Sequence, residues 1–472
     1  MMRFVKVLKG KSAGFDDRMN VSMKYITFGI LGLLSFLILD ITTDLYYVSS
    51  IGLSLVVFVF AKFFYDIGSK VDTRDIIAVA STIQWIFGPI LAYHLFPEHP
   101  LFYMATGETE YMNYVVPACY ALVMGLYIPL NQDRVIGENE FDRIREYMKS
   151  HPKLGYGIVA AGLLFTVIGR FLPRSLEFLF FLLGNMQFVG LFMLMLTPRA
   201  RFKWLILSGV LFLLVSHAVL QGMFHELLLW LTFLFLIFAL LFRFKLWMKT
   251  ILFSLGLFLI LVLQNVKEDY RDQTWYKSEL EESKQNIFND VFIDKLTNPS
   301  AMFGEEVMNN VNVRLNQGWI IARILHHVPQ NEPYARGETI RKGIEAAVMP
   351  RILLPGKAVA GGKENFERFT GTPLNKNTSM DLSLAGEGYV NFGRWGGVFF
   401  MLIMGLFYNI VLISIVRLSR NHPTLILWIP LLFFQVVKAE TDFATVFNHL
   451  VKSIMVVWVV FWSIQRIFKI RI

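Results

Sequence analysis

Charged residues punctuate this chain at intervals, and between them run apolar blocks of about 17 to 24 residues. A helix of that length crosses a hydrocarbon core of roughly 30 Å. The blocks predict twelve membrane helices, at approximately 25–44, 46–65, 76–96, 114–130, 154–171, 175–197, 204–221, 225–242, 249–265, 395–416, 424–438 and 450–465. A bilayer offers no hydrogen bonds to a peptide group, so each crossing must satisfy its own backbone, which a helix does. The predicted fold is therefore an all-α integral membrane protein with one large loop. Residues 1–24 form an N-terminal segment, 25–265 carry helices one to nine, 266–394 form the loop, and 395–472 carry the last three helices.

Inside the loop the pattern changes. The charged run Lys267-Glu268-Asp269-Tyr270-Arg271-Asp272 reads as the ninth helix continuing into water. Helical spacing recurs over 277–296 and 305–327, where Val307, Val311, Leu315 and Ile324 share one side and Asn310, Arg314 and Gln317 another. A short helix is expected from Glu338 to Val348, ended by Pro350. Residues 350–394 read as a long irregular stretch, and Phe366, Phe369, Leu374, Met380, Tyr389 and Phe392 predict that it is ordered.

Composition agrees with a membrane protein. Hydrophobic residues make up 55% of the chain, charged residues only 17%, and the mean hydropathy is +0.50. A soluble domain carries roughly a quarter charged residues. The single cysteine, Cys119, excludes a disulfide framework and lies in an apolar block. The first 24 residues are basic and polar, and the run behind them is too long for a signal-peptide core, so no cleavable signal is expected.

The net charge of +9 invites a nucleic-acid partner, but the placement of the charges argues against one. Orientation follows the Lys and Arg of short loops. With both termini cytoplasmic, 24 cations fall inside: six before residue 25, then Lys70 and Arg74, five over 134–153, three over 199–203, three over 243–249, Arg417 and Arg420, and three at the C-terminus. The short outer connections hold Arg170, Arg174 and Lys438, and 97–113 holds none. The basic excess is thus a topology signal, and it places 266–394 outside.

Motifs of soluble enzymes (a G-x-x-x-x-G-K-[ST] phosphate loop, an H-E-x-x-H zinc helix, a G-x-S-x-G elbow) do not occur, and no metal or cofactor is expected. Cations gather in the loop: Arg336, Arg341, Lys342, Arg351, Lys357, Lys363, Arg368 and Lys376. They fit either a solvated face near anionic headgroups or a site for an anionic substrate, to which arginine offers bidentate contacts. Carboxylates at the outer helix ends are Asp40, Asp44, Glu440 and Asp442, with Glu387 in the loop.

Three stretches of the loop resemble the bacterial oligosaccharide repeat-unit polymerases (O-antigen polymerase, Wzy-type). They are Arg314-Leu315-Asn316-Gln317-Gly318-Trp319; Pro333 to Thr339 leading into Met349-Pro350-Arg351-Ile352-Leu353-Leu354-Pro355-Gly356-Lys357; and Thr378-Ser379 with Gly386-Glu387-Gly388-Tyr389-Val390-Asn391-Phe392-Gly393. The resemblance covers about 100 residues, and the sequence departs from it where Leu-Leu-Pro-Gly-Lys replaces a Trp-Pro-Lys-Pro form. It implies a metal-independent glycosyltransferase of GT-C-like helical fold in the inner membrane, acting on polyprenyl-diphosphate-linked oligosaccharides at the outer face. Implied partners are that lipid, the membrane, a chain-length regulator and a flippase. In that frame Arg314 and Arg351, with Arg336, Arg341 and Lys357, stabilise the leaving diphosphate. Glu387 is the first candidate base, with Asp44 and Asp442 as fallbacks. Tyr389, Asn391 and Trp319 contact the sugar. A ligase of the O-antigen type and a transporter or flippase of the same lipids remain alternative readings.

Overall fold

The computed structural model describes residues 26–96, 102–129, 137–275, 283–297, 305–348, 362–375 and 378–470. The apolar blocks are helical. In chain order they are α1 (Ile26–Thr42), α2 (Tyr47–Asp66), α3 (Thr73–Thr82), which runs through a π turn at Ile83–Phe87 into α4 (Gly88–His94), and α5 (Glu108–Tyr127). Next come α6 (Glu138–Ser150), α7 (Leu154–Gly169), α8 (Glu177–Leu196), α9 (Lys203–Gln221), α10 (His225–Leu241) and α11 (Leu246–Trp275). The polar segment adds α12 (Lys284–Thr297), α13 (Glu305–Leu315), α14 (Gly318–His327), α15 (Glu338–Val348) and α16 (Lys363–Thr370). The chain closes with α17 (Leu384–Leu418), a 3-10 turn at Pro423–Trp428, α18 (Ile429–Leu432) and α19 (Phe443–Phe468). Among the described residues seven helices are long and apolar enough to cross a membrane, including α3–α4 taken together, so this is an all-helical, multi-pass membrane protein.

Glycines set the closest helix contacts. Along α7 and α8, a Cβ at Gly155 would meet Leu194 at 3.0 Å and one at Gly190 would meet Val159 N at 2.6 Å. Between α5 and α17, a Cβ at Gly125 would press on the Leu402 carbonyl and one at Gly397 on the Tyr114 ring. With lipid as apolar as the side chains, helix association depends on such close backbone approach.

The connections sort into two ends. At one, Lys249 Nζ donates to the Tyr65 carbonyl (3.0 Å), Arg143 to Ser419 Oγ (3.2 Å), and the Tyr156 hydroxyl to the Arg201 carbonyl (2.6 Å). At the other, Tyr46 bonds Asn113 (3.2 Å), Thr106 bonds the Ala322 carbonyl (2.6 Å), and Arg271 bonds the Gly222 carbonyl (2.9 Å). The first group belongs to the cation-rich connections and the second to the cation-poor ones.

Four local expectations change. Residues 305–327 form two helices, broken at Asn316 and Gln317. The stretch 350–394 is not wholly irregular, because α16 lies within it and Ser383 starts α17 by accepting the Gly386 N–H at 3.2 Å. α17 is bent at Gly393 (φ 67°, ψ −168°), a conformation open essentially to glycine. The bend folds the first segment onto the second: a Cβ at Gly388 would lie 3.4 Å from Gly397 Cα, residues a straight helix would hold about 13 Å apart. Residues 424–438 are a 3-10 turn and one α turn, since Pro423 and Pro430 supply no N–H; the segment is buried in protein, where irregular backbone is tolerated. Finally, the connection before α7 contains α6, which meets α7 at 90°. Phe141, Ile144 and Met148, at i, i+3 and i+7, are buried beneath it, a periodicity the charge-based expectation passed over.

Candidate functional site

At the cation-poor end lies a cavity of about 530 Å³. The π turn in the third crossing begins its construction. A π turn breaks the regular i→i−4 ladder, and here the Gln84 carbonyl accepts from Gln317 N–H (3.1 Å) and the Trp85 carbonyl from the Tyr111 hydroxyl (2.8 Å). Gly88 and Gly318 allow α13 and α14 to sit directly on this turn; a Cβ at either would strike backbone or the Tyr111 and Pro89 side chains. Asn316 Oδ1 then accepts the Trp319 N–H at 3.2 Å and starts α14. The result places Arg314, Gln317, Trp319 and Ile320 on one wall.

The opposite wall combines a strap, Ser379-Met380-Asp381, with the turn carrying Gln435, Lys438, Glu440 and Thr441. Its floor is the face of α19 formed by Thr445, Asn448 and His449, which recur at helical spacing. Phe102 enters from the connection before α5 and Phe178 from the first turn of α8. Asp442 caps α19 by accepting the Thr445 N–H (2.8 Å), and Thr445 Oγ1 donates to Asp381 (3.4 Å). Burial, reinforced by the Asp442 charge, pushes Asp381 up to about 7. Burial also raises Asp442. The charges of Arg314, Arg271 and Glu440 all act on Lys267, and those of Glu440, Glu226 and Asp381 on Lys438, so the cavity mixes cations with carboxylates.

The sequence candidates fall in three places. Arg314 and Trp319 line the cavity; the Trp319 ring meets Phe102 and Phe366 edge-on, and the Arg323 guanidinium lies 5.2 Å from its centre. Glu387, Tyr389 and Asn391 are instead packed behind it. Glu387 accepts from Thr339 Oγ1 (2.5 Å) and from the Phe443 N–H (2.6 Å). Asn391 donates to Thr339 Oγ1 (2.7 Å) and to the Glu387 carbonyl (2.9 Å), and accepts from the Gly337 N–H (2.9 Å). Tyr389 packs edge-on against Tyr114 and Tyr334. The Gly-Glu-Gly-Tyr-x-Asn segment is thus a latch tying α15, α17 and α19, and its glycines admit Ile324 and Phe400 at 2.6 and 2.9 Å from would-be Cβ atoms. Arg336 is exposed with φ 50°, and Arg341 is exposed and paired with Glu345 (3.4 Å). Arg351 and Lys357 lie outside the described residues.

The loop is also less basic than its cation count implied. Lys342 pairs with Glu338 (2.7 Å), and Arg368 with both Glu332 (2.6 Å) and Glu338 (3.1 Å). Hydrogen bonds from Lys342 and Arg368 hold Glu338 below the ordinary carboxylate range. Lys363 donates to the Leu374 and Asn375 carbonyls. Asp44 is exposed on the connection after α1. Sequence reasoning missed Asp381, Lys438 as a site residue, and the Asn448–His449 pair. The one available signal was a polar triplet on the first turns of an otherwise apolar helix.

The chain belongs to the family described as a domain of unknown function, DUF8712, whose model matches residues 80–471. That range contains every residue lining the cavity. No curated protein and no solved structure matches the chain.

Proposed function

We propose that this protein is a lipid-diphosphate-dependent glycosyltransferase that polymerises oligosaccharide repeat units at the periplasmic face of the bacterial inner membrane. The observation that carries the reading is the mixed cavity: Arg314 and Lys438, two carboxylates, Asp381 and Glu440, and the aromatic rings of Trp319, Phe102 and Phe178 share one opening. Twelve crossings follow if α1, α5, α7, α10 and the Pro423–Leu432 segment join the seven long apolar spans. Loop charge then places both termini in the cytoplasm and the cavity outside. The fold is GT-C-like in this reading.

In the reaction, an acceptor sugar hydroxyl attacks the anomeric carbon of the donor glycan. The bond from that carbon to the diphosphate oxygen breaks, and the polyprenyl diphosphate leaves with the electron pair. Arg314 and Lys438 stabilise the charge gathering on that oxygen. Asp381, its proton affinity raised into the neutral range, receives the hydroxyl proton. Glu387 holds α15 and α19 in register and so positions this wall. Arg351 and Lys357 remain assigned to the diphosphate through the family resemblance.

Deletion of the chain from its host tests the proposal. Lipid-linked single repeat units should accumulate and long polymer disappear by mass spectrometry and gel electrophoresis. Wild-type protein should restore polymer, whereas Arg314→Ala should fall roughly 100- to 1000-fold short, the loss typical of one transition-state donor. Polymer that persists in the deletion strain overturns the reading. Normal-length polymer no longer joined to its acceptor would instead identify a ligase, and lipid-linked units trapped on the cytoplasmic face a flippase.

A further inference from the structure

The floor of the cavity holds two acceptors that the proposed reaction does not use. His449 is 1% exposed. Its Nε2 lies 2.9 Å from the Leu431 carbonyl, and a carbonyl can only accept, so Nε2 carries the hydrogen. In the neutral ring Nδ1 is then a bare acceptor, and it has no hydrogen-bond partner among the described residues. One residue earlier, Asn448 Oδ1 is likewise buried and without a partner among them. Both side chains line the cavity. Buried acceptors are nearly always satisfied, and leaving two unpaired sacrifices their solvation without return. The ring cannot turn freely to escape this, because Phe178 and Phe434 pack against it at 5.8 and 6.3 Å.

What would complete the site is a ligand presenting hydroxyl donors. A phosphate does not fit this floor, since phosphate oxygens are acceptors facing acceptors. A sugar supplies what is missing: its hydroxyls can donate to Nδ1 and to Oδ1, and its apolar C–H face suits the aromatic rings of Phe178, Phe102 and Trp319 that line the same cavity. We propose that Asn448 and His449 form a neutral-sugar subsite that recognises a pair of hydroxyls on the repeat unit, separate from the cationic wall at Arg314. This deepens the glycosyltransferase reading and rests on it for the identity of the sugar, but the subsite makes its own prediction for binding.

The experiment uses the full-length protein in nanodiscs and, as probe, the repeat-unit oligosaccharide freed from its lipid by mild acid. Calorimetry should show binding to wild type, weakened at least tenfold in His449→Ala and in Asn448→Ala. His449→Asn, which returns an oxygen acceptor near the Nδ1 position, should recover part of the loss. The surface control Lys149→Met should leave the lipid-free sugar's affinity unchanged. Equal binding by wild type and both alanine variants, or no binding to wild type, overturns the subsite. The less buried Asn448→Ala keeps the test decisive if His449→Ala fails to fold. Polymerisation by wild type is scored separately: sugar binding that depends on His449 in a protein that makes no polymer would sink the transferase reading and keep the subsite.

Discussion

Glu387→Ala separates a structural carboxylate from a catalytic one. In the structure both Glu387 oxygens are taken, by the Thr339 hydroxyl at 2.5 Å and the Phe443 N–H at 2.6 Å, and the residue is 1% exposed. Truncation to alanine leaves two buried donors without acceptors. Each orphan costs about 1–3 kcal/mol, so the expected loss of stability is about 2–6 kcal/mol. Glu387→Gln keeps one acceptor oxygen for the Phe443 amide and should lose about 1–2 kcal/mol. The chain supplies its own reporter: Cys119 is its single cysteine, fully buried on α5, which packs along α17. A thiol-reactive fluorogenic dye therefore reads unfolding directly in detergent. The unfolding midpoint should fall in the order wild type, Gln, Ala, with polymer synthesis declining in parallel. A Glu387→Ala protein with the wild-type midpoint and no polymer would refute the latch and return Glu387 to the chemistry.

Two further expectations follow from buried charge. Asp381 is raised from an ordinary value of 3.8 to about 7 by burial and the Asp442 charge, so the folded protein holds its proton more tightly than the unfolded chain. Its contribution to stability is therefore full at low pH and is lost as pH rises from the ordinary carboxylate range through about 7, while the transfer rate climbs over the same limb as the base forms. Asp381→Asn should flatten the stability profile and remove that limb from the rate profile; an unchanged rate profile would exclude Asp381 as the proton acceptor. At the opposite end, Lys62 is 2% exposed and pairs with Asp75 and with Asp66 (3.2 Å), its ammonium lying 4.7 Å from the Tyr127 ring centre. Lys62→Met takes the ammonium from the buried Asp75, which keeps the Tyr127 hydroxyl, while Asp66 retains Lys70 (2.7 Å). The change should cost about 3–5 kcal/mol in the same thiol assay; a smaller loss than in a surface control such as Lys149→Met would contradict the buried pairing.

How much of this was legible beforehand differs by level. The positions of the long apolar helices followed from block length, and α15 has the bounds that Gly337 and Pro350 suggested. The segment at 424–438 misled because hydropathy does not distinguish an apolar stretch facing lipid from one buried in protein; Pro423 and Pro430 were the signal against a regular helix. Arg314 and Trp319, singled out through the family resemblance, line the cavity, close to the glycine that lets α14 dock. Glu387 and Asn391 were singled out through the family resemblance, and in the structure the glycines around Glu387 serve close packing. Asp381 and His449 gave little warning, one lying in an irregular strap and the other two turns into an apolar helix.

By itself, then, the sequence determined the multi-pass membrane environment and the positions of the long apolar helices. Each of these depends on local composition summed over a window, which bilayer thickness reads directly. Only the tertiary structure decided which polar residues share a cavity. Arg314, Asp381, Lys438 and His449 come from four separate elements, and their meeting depends on a π turn, a glycine bend at 393 and the cap on α19, each a matter of backbone geometry that no single stretch of sequence contains.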